Sequence, residues 1–357
     1  MNRKPSLAHS EKKFRIDSYS IDRIPDQSKL FIDFQNNSPS IQKYYPTKDH
    51  DLTKHAKNVL DSYRIDRTLL CEILGDENQN LGAGEETLAN IKRLRDKDCV
   101  AVVSGQQAGL FSGPIYTIFK ALSVVRLADD LKKQGLNAVP IFWVASEDHD
   151  FEEANEIFVL DENAELRALS NSVSGLEENT PVGFVQLDES IKTTIDRAFS
   201  ETPVTAFTKD ITNVLSNAYS ENETYGSAFA KLIHDLLGKF GLITVSPMNR
   251  KVRRLCSPIF VEAVERHREI TGALIARDNE LAVDGYHSQV LVSEDFFPFF
   301  YVDKKKKRNA LRFDKAKNVI KSINSEKTFS TEEMLAEAEN RPESLSPNAL
   351  MRPIVQD

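Results

Sequence analysis

Cysteine is scarce in this sequence, which has three in 357 residues, at positions 71, 99 and 256. An odd number of cysteines without a Cys-x-x-Cys spacing argues against a disulfide framework and against a zinc site. Few, widely separated cysteines are typical of a reducing compartment, so we expect the protein in the cytoplasm. Cys99 lies within an apolar run, where we expect a small buried hydrophobic residue.

An excess of positive charge and long hydrophobic runs are also missing. The chain has 46 basic and 54 acidic residues, a net charge of −8 at pH 7, whereas a general nucleic-acid binder needs a basic face. No apolar run approaches the roughly 20 residues that cross a bilayer. The segment from Met1 to Phe14 also lacks the apolar stretch of a secretory signal. We therefore expect neither a nucleic-acid partner nor a membrane association.

The sequence does contain enough apolar residues, 40% of the total, to build a large core. Its 357 residues exceed the roughly 250–300 at which a single core stops growing, so we expect a core domain with insertions. The predicted division is residues 1–165 for the first part of the core, 166–236 for an inserted, mainly helical subdomain, 237–292 for the core continued, 293–345 for a second insertion with a hairpin and a helix, and 346–357 for the start of a further core segment.

The clearest pattern in the chain is a strand, a helix and a second strand. The apolar runs Cys99–Val103 and Val139–Ala145 are typical of strands buried on both faces. Between them, apolar residues repeat at helical spacing from Ile115 to Val125. A crossover of this kind joins parallel strands. The sequence therefore predicts an α/β fold with a parallel-sheet core.

Weaker patterns predict the remaining elements. They are helices at Lys48–Leu74, Glu85–Asp96 and Lys251–Arg277, strands at Leu242–Val245, Ser288–Val292, Phe296–Val302 and Asn309–Phe313, a helix from the capping box Ser330-x-x-Glu333 to about Glu339, a few short strands before residue 50, and a strand-like end at Arg352–Asp357.

A glycine-rich turn, Ser104–Gly109, follows the first predicted strand, and Gly113 precedes the helix. Glycine lets backbone N–H groups approach a ligand closely, and the partial positive charge of a helix N-terminus suits a phosphate. The pattern matches neither Gly-x-Gly-x-x-Gly nor the P-loop, so a tight turn before the helix is the alternative. The candidates for holding a nucleotide here are Ser104, Gly105, Gln106, Gln107, Gly109, Gly113 and Tyr116.

The second predicted strand is followed by an acidic turn, Glu147-Asp148-His149-Asp150. Carboxylates suit Mg²⁺, an ammonium group or sugar hydroxyls, and a histidine suits proton transfer or phosphate binding. The alternative is that these acids simply favour the first turn of a helix. We name His149, Asp148 and Asp150 as the candidates for catalysis.

The two turns should lie at the same edge of the sheet, because both follow the carboxyl ends of parallel strands. Ligands of open α/β folds bind in the crevice at that edge. Asn249 and Arg250 follow the short strand that ends at Val245, and they join the same edge if that strand is parallel. We include Asn249 among the candidates for nucleotide binding.

Other polar groups have simpler interpretations beside the functional ones. Lys120 is either a phosphate ligand or a solvated lysine on the polar face of its helix. His287 is interpreted as a structural histidine, and Lys304–Arg308 as a solvated hairpin tip, with phosphate or nucleic-acid attraction as the alternative.

Four strings of this sequence resemble the family of bacillithiol biosynthesis cysteine-adding enzymes. They are Ser104–Phe111, Gly113–Thr117, Pro140–Phe151 and Leu345–Asp357, and they occur in the order in which that family has them. The resemblance implies a Rossmann-like core, similar to nucleotidyltransferases and class I aminoacyl-tRNA synthetases, with inserted connecting-peptide-type subdomains. It also implies a C-terminal coiled coil that forms a homodimer. Family members are longer, so we expect this chain to lack that coiled coil and the end of the core.

The same resemblance implies a cytoplasmic ligase for the last step of bacillithiol assembly. Its substrates would be cysteine and glucosaminyl-malate, whose amino group receives the cysteine carboxyl, with ATP or another nucleotide as the activating group. In this hypothesis the glycine turn holds the phosphates, His149 assists proton transfer, and Asp148 or Asp150 binds the amine or a metal such as Mg²⁺. The alternatives are a nucleotide- or sugar-binding module without its own catalysis, and a nucleotidyltransferase with another acceptor.

Overall fold

The structure is a computed structural model and describes residues 17–45, 52–63 and 65–356. Its contacts divide the chain into a small unit, Met1–His50 with Arg277–Gln289, and a main unit, Asp51–Ala276 with Val290–Asp357. The small unit contains the helix α1 at Lys29–Gln35, flanked by short 3-10 turns at Ile21–Arg23 and Pro39–Ile41.

The short strands predicted before residue 50 are wrong for the described part of that region. The backbone N–H of Phe31 donates to the Ser28 side chain at 3.2 Å, so Ser28 caps α1 and starts a helix. Residues 1–16 and 46–50 lie outside the described residues.

The main unit begins with three helices, α2 at Leu52–Ser62, α3 at Arg67–Asn80 and α4 at Glu85–Arg93. The single helix predicted over Lys48–Leu74 is therefore wrong. Asp66 accepts hydrogen bonds from the backbone N–H groups of Thr68 and Leu69 at 2.9 and 3.1 Å and begins a new helix. The start of the predicted helix, residues 48–51, lies outside the described residues.

Three strands form a parallel sheet in the order β1, β2, β5, at Cys99–Gln107, Asn137–Ala145 and Ile243–Val245. The helix α5, Tyr116–Lys133, connects β1 to β2. The register pairs Gln107 with Ala145, so β1 and β2 end side by side. The predicted strand–helix–strand unit and its parallel sense are thus confirmed, and β5 is also parallel to β2.

The first strand is longer than its apolar run suggested. Ser104, Gly105, Gln106 and Gln107 pair with Phe142–Ala145 and continue β1, so their prediction as part of a turn is wrong. At Gly105 a Cβ atom would lie 2.5 Å from the carbonyl oxygen of Trp143, which only glycine avoids. The turn itself starts at Ala108, and Gly113 adopts a φ of +65° within it.

The segment between β2 and β5 is a hairpin followed by helices. It contains α6 at Phe151–Asn155, β3 at Glu156–Leu160 paired antiparallel with β4 at Leu166–Ser170, α7 at Ser190–Ser200, α8 at Thr208–Ala218 and α9 at Tyr225–Leu237. Thr224 and Ser227 form a capping box that begins α9.

After β5, the single helix predicted over Lys251–Arg277 is two helices, α10 at Arg250–Glu265 and α11 at His267–Val283. Arg266, with φ −98° and ψ 13°, leaves the helical conformation between them. The strand predicted at Ser288–Val292 is wrong, because these residues are irregular and Leu291 is 83% exposed.

An antiparallel sheet completes the main unit, in the order β10, β6, β7, β8, β9. Its strands are β6 at Phe296–Val302, β7 at Arg308–Asp314, β8 at Val319–Ser322, β9 at Thr328–Phe329 and β10 at Leu345–Pro347. The predicted hairpin of β6 and β7 is confirmed, as is the capping box of Ser330 and Glu333, which begins α12 at Thr331–Asn340.

The strand-like end predicted at Arg352–Asp357 is wrong. Asn348 accepts hydrogen bonds from the backbone N–H groups of Leu350 and Met351 at 3.1 and 3.0 Å, and the chain turns into the short helix α13 at Arg352–Gln356. Within the described ranges, no helix is both long and apolar enough to cross a membrane.

Candidate active site

The carboxyl ends of β1 and β2 bring the two candidate segments into direct contact. The side-chain nitrogen of Gln107, the last residue of β1, donates to the backbone carbonyl of Asp150 at 3.1 Å. This contact follows from the parallel register, which places Gln107 opposite Ala145. The predicted meeting of the glycine-rich and acidic segments at one edge is confirmed.

Within the acidic segment, the two aspartates organise the backbone. Asp148 Oδ1 accepts the backbone N–H groups of His149 and Asp150 at 2.7 and 3.3 Å. Asp150 Oδ1 accepts the N–H of Glu153 at 3.1 Å and caps α6. The alternative interpretation, that the acids favour the start of a helix, therefore holds for Asp150, whose carboxylate caps α6.

Glu147 lies in the buried part of this edge and forms an ion pair with Arg253 of α10. Both side chains are almost fully buried, at 8% and 6% exposure. Ser346 Oγ donates to Glu147 Oε1 at 3.2 Å, and Arg253 donates to the Leu345 carbonyl at 2.8 Å. A buried carboxylate is tolerated when it is paired and hydrogen-bonded in this way. The pair fixes the loop after β2 to α10 and to β10.

Arg308, the first residue of β7, is the buried cation closest to the histidine. Its Nη1 donates to His149 Nδ1 at 3.2 Å, its Nε to Ser346 Oγ at 3.0 Å, and its Nη2 to the Pro347 carbonyl at 3.3 Å. The guanidinium carbon stands 3.7 Å from the ring centroid of Phe300, within cation–π range. Burial lowers the pKa of Arg308 to about 10, which leaves it charged at neutral pH.

These contacts define the state of the His149 ring. A guanidinium has only donors, so Nδ1 of His149 must be the acceptor and the ring proton must sit on Nε2. Burial, and next the charge of Arg308, lower the pKa of His149, while Asp148 and Asp150 act in the opposite direction. The side chain is 33% exposed, and Nε2–H is the one donor of the neutral ring.

The glycine-rich segment faces the same edge with a cation beside it. Lys120 Nζ of α5 donates to Gln106 Oε1 at 2.8 Å and lies 5.1 Å from the ring centroid of Tyr116. A Cβ atom on Gly109 would lie 2.9 Å from the Cα of Gly113, so the turn between them is closely packed. The Tyr219 hydroxyl donates to the Gly109 carbonyl at 3.0 Å and holds the turn from the end of α8.

Asn249 reaches the same sheet edge, because β5 is parallel to β2. Its side chain accepts the N–H of Lys251 at 2.9 Å and caps α10. It lines a cavity of about 380 Å³ together with Ser146. The edge therefore carries two features. One is the group of His149, Asp148 and Arg308, which we call the His149 cluster, and the other is this cavity. The residues after β2 contribute to both.

Sequence reasoning missed Arg253, Arg308 and Ser346. Arg308 was assigned to a solvated hairpin tip, which is right for Lys304, Lys305 and Lys306, all exposed, and wrong for Arg308, which is 9% exposed. Phe300, Ser346 and Pro347 bury Arg308 from across the sheet. Local sequence patterns do not predict tertiary contacts of this kind. The available signal was the string Leu345–Asp357, which contains Ser346 and Pro347.

The arrangement does not resemble a protein-held metal centre. In the part of the chain that the structure describes, no three histidine, cysteine, aspartate or glutamate side chains are grouped to hold a metal ion. The chemistry available at the edge is hydrogen-bond donation from His149 Nε2–H and cationic charge from Lys120 and Arg308, whereas Gly105 and Gly109 are packed against the protein's own backbone.

Comparison with known proteins places these features in a family context. Residues 17–357 match the family described as "Bacillithiol biosynthesis BshC, N-terminal Rossmann-like domain". Relatives named "Putative cysteine ligase BshC" include those of Koribacter versatilis, 34% identical over 96% of this chain, and Solibacter usitatus, 34% identical over 94%. That of Geobacillus kaustophilus is 30% identical over 94%. The matches cover 62%, 60% and 62% of these relatives, so the chain spans about three fifths of their length.

Proposed function

The chain belongs to the BshC family, and we propose that it forms the Rossmann-like part of a ligase that joins L-cysteine to the amino group of glucosaminyl-malate in bacillithiol biosynthesis. The observation that supports this proposal is the convergence of the glycine-rich segment, His149 and Arg308 at one edge of a parallel sheet. The relatives' name supports a cysteine ligase, and the edge supplies groups that suit an anionic, activated acyl donor.

Formation of an amide from a free carboxylate requires activation, which ATP supplies when bound. We assign its binding to the segment from Ser104 to Gly113 and to the start of α5. Lys120, beside Gln106, supplies a cation there. Because the described residues do not group as a metal site, we derive no step through a protein-held metal.

His149 acts in this proposal as a hydrogen-bond donor to developing negative charge. Its Nδ1 is occupied by Arg308, so its Nε2–H is the group directed at substrate. A donor fixed before the reaction stabilises charge that forms in the transition state. Asp148 holds the backbone of His149 and Asp150, and Arg308 holds the ring, so both are positioning residues for His149.

The test uses an extended protein, defined as this chain followed by the C-terminal segment of the Geobacillus kaustophilus relative that lies beyond the match. With ATP, cysteine and glucosaminyl-malate, the extended protein should form bacillithiol, detected by mass spectrometry. The nucleotide product, AMP or ADP, identifies how the carboxylate is activated. Nucleotide binding without bacillithiol under any of these conditions would instead indicate a binding module.

A further inference from the structure

One hydroxyl group, that of Ser346 in β10, connects the two buried arginines near the acidic segment. Its oxygen accepts the Nε–H of Arg308 at 3.0 Å, and its proton is donated to Glu147 Oε1 at 3.2 Å. Glu147 is in turn paired with Arg253. Ser346 is 1% exposed, so all of these contacts are made inside the protein.

The chemistry of the partners fixes the direction of each hydrogen bond. A guanidinium has only donors, and an ionised carboxylate has only acceptors, whereas a serine hydroxyl has a single proton to donate. Ser346 must therefore accept from Arg308 and donate to Glu147. Because Arg308 Nη1 also donates to His149 Nδ1 at 3.2 Å, four side chains form one continuous chain from Glu147 to the histidine ring.

The antiparallel sheet places the serine and the arginine on the same face. Ser346 of β10 lies opposite Phe300 of β6, and Val302 of β6 lies opposite Arg308 of β7. Opposite residues share a face, and so do residues two apart on one strand, so Ser346, Phe300 and Arg308 are on one side of the sheet. Tyr301 belongs to the apolar core on the other side.

The guanidinium of Arg308 moves as a rigid plane, so its contacts depend on one another. Nε contacts Ser346, Nη1 contacts His149, and Nη2 donates to the Pro347 carbonyl at 3.3 Å. Without the Ser346 hydroxyl, Nε becomes a buried charged donor that lacks this acceptor, which is costly. A rotation that gives Nε a new acceptor also carries Nη1 away from the histidine ring.

From these contacts we infer that Ser346 is a positioning residue for His149, because it holds the Arg308 guanidinium in the plane that keeps the ring proton on Nε2. The inference rests on the proposed function in one respect, since the Nε2–H group is the donor that the proposal uses. A serine that only stabilised β10 would leave the state of this ring unchanged.

Heteronuclear NMR of the histidine rings measures the position of the proton in this chain without any substrate. At about pH 8 the ring is neutral, and the shifts of its two nitrogens identify the tautomer. His149→Gln assigns the signals by removing them. The unmodified chain should carry the proton on Nε2. In Ser346→Ala the fraction with the proton on Nδ1 should rise several-fold, and the pKa of His149 should rise toward 6.5 as Arg308 leaves the ring.

Ser344→Ala is the matched control. Ser344 is also buried, at 3% exposure, and its hydroxyl donates to a carboxylate, Glu337 Oε2, at 2.7 Å. Its loss removes a comparable hydrogen bond two residues away and should leave the His149 tautomer unchanged. An unchanged tautomer in Ser346→Ala, or the same change in Ser344→Ala, would overturn the inference.

A second comparison tests whether Ser346 acts through Arg308. Adding Ser346→Ala to Arg308→Met should leave the His149 titration as it is in Arg308→Met alone, and a further shift would contradict the inference. If backbone amide spectra show that Ser346→Ala does not fold, Ser346→Cys provides the same comparisons, because a thiol is a weak acceptor. No turnover is measured, so failure of this inference and failure of the ligase activity are separate results.

Discussion

At His149, the tautomer of the ring is decided by a residue 159 positions away in the sequence. The acidic turn was visible from the residues alone, since carboxylates around a histidine after a buried strand indicate a site. Arg308 was not, because its contact with His149 depends on where β7 lies in three dimensions. Local patterns therefore predicted that this loop lies at the sheet edge and missed the cation that contacts its histidine.

Removing the charge of Arg308 should raise the pKa of His149. In Arg308→Met the positive charge that lowers this pKa is removed, so the pKa of His149 should rise toward 6.5. Burial remains and still lowers this pKa. NMR titration of the ring measures the shift. Arg312→Gln, on the same strand with a side chain that is 41% exposed, is the control and should leave the titration unchanged. An unchanged pKa in Arg308→Met would contradict the assigned contact.

A second histidine should make the protein sensitive to acid. Burial lowers the pKa of His234, in α9, to about 4, and its Nε2 lies 3.0 Å from Thr244 Oγ1. Between pH 6.5 and 4 the unfolded chain binds a proton at this position and the folded chain does not. The contribution of His234 to stability is therefore complete above pH 6.5 and is lost as the pH falls toward 4, by on the order of 1.4 kcal/mol per pH unit.

Urea unfolding at pH 7 and pH 5 measures this loss. The unmodified chain should lose more stability between the two values than His234→Gln, which cannot be protonated there. A His287→Gln variant, altered at an exposed histidine, should retain the full loss. Identical pH dependence in all three proteins would contradict the burial of His234 as a neutral ring.

At the scale of elements, patterns of apolar residues located strand cores well and strand ends poorly. β1 was predicted from Cys99–Val103, but the ladder to β2 extends it to Gln107. Glycine and glutamine have low strand propensity, so the pairing with β2 overrides the local preference. Helix breaks at Asp66 and Arg266 were missed because neither carries proline or glycine, the usual signals.

A substitution at Gly105 tests the close packing of β1 against β2, because Gly105 lies against the backbone of Trp143. In Gly105→Ala the added methyl would contact the Trp143 carbonyl oxygen at 2.5 Å, which a strand can relieve only by shifting. The expected cost is about 1–3 kcal/mol of unfolding free energy, as for other overpacked sites. Gly75→Ala in α3 meets nothing within 4 Å and should be neutral or stabilising by up to about 1 kcal/mol. Denaturant unfolding of both variants measures the difference, and equal stabilities would refute the close approach.

At the scale of the whole molecule, the α/β class and the parallel sense of the sheet were predictable, because one strand–helix–strand unit determines both. The inserted subdomains, at the boundaries given from the sequence, stay a prediction. The approach of the antiparallel sheet to the acidic loop was not predictable. It depends on β10 lying beside β6, a pairing between residues more than forty positions apart that brings Ser346 and Arg308 to Glu147 and His149.

In the proposed function, the His149 cluster at the sheet edge serves amide formation. Its most direct test is the turnover number for bacillithiol formation by the extended protein with His149→Ala, set beside His287→Ala, which alters an exposed histidine. We expect a loss on the order of 100-fold or more for His149→Ala, the size seen when a preorganised donor to developing charge is removed, and no change for His287→Ala. Equal turnover numbers in the two variants would contradict it.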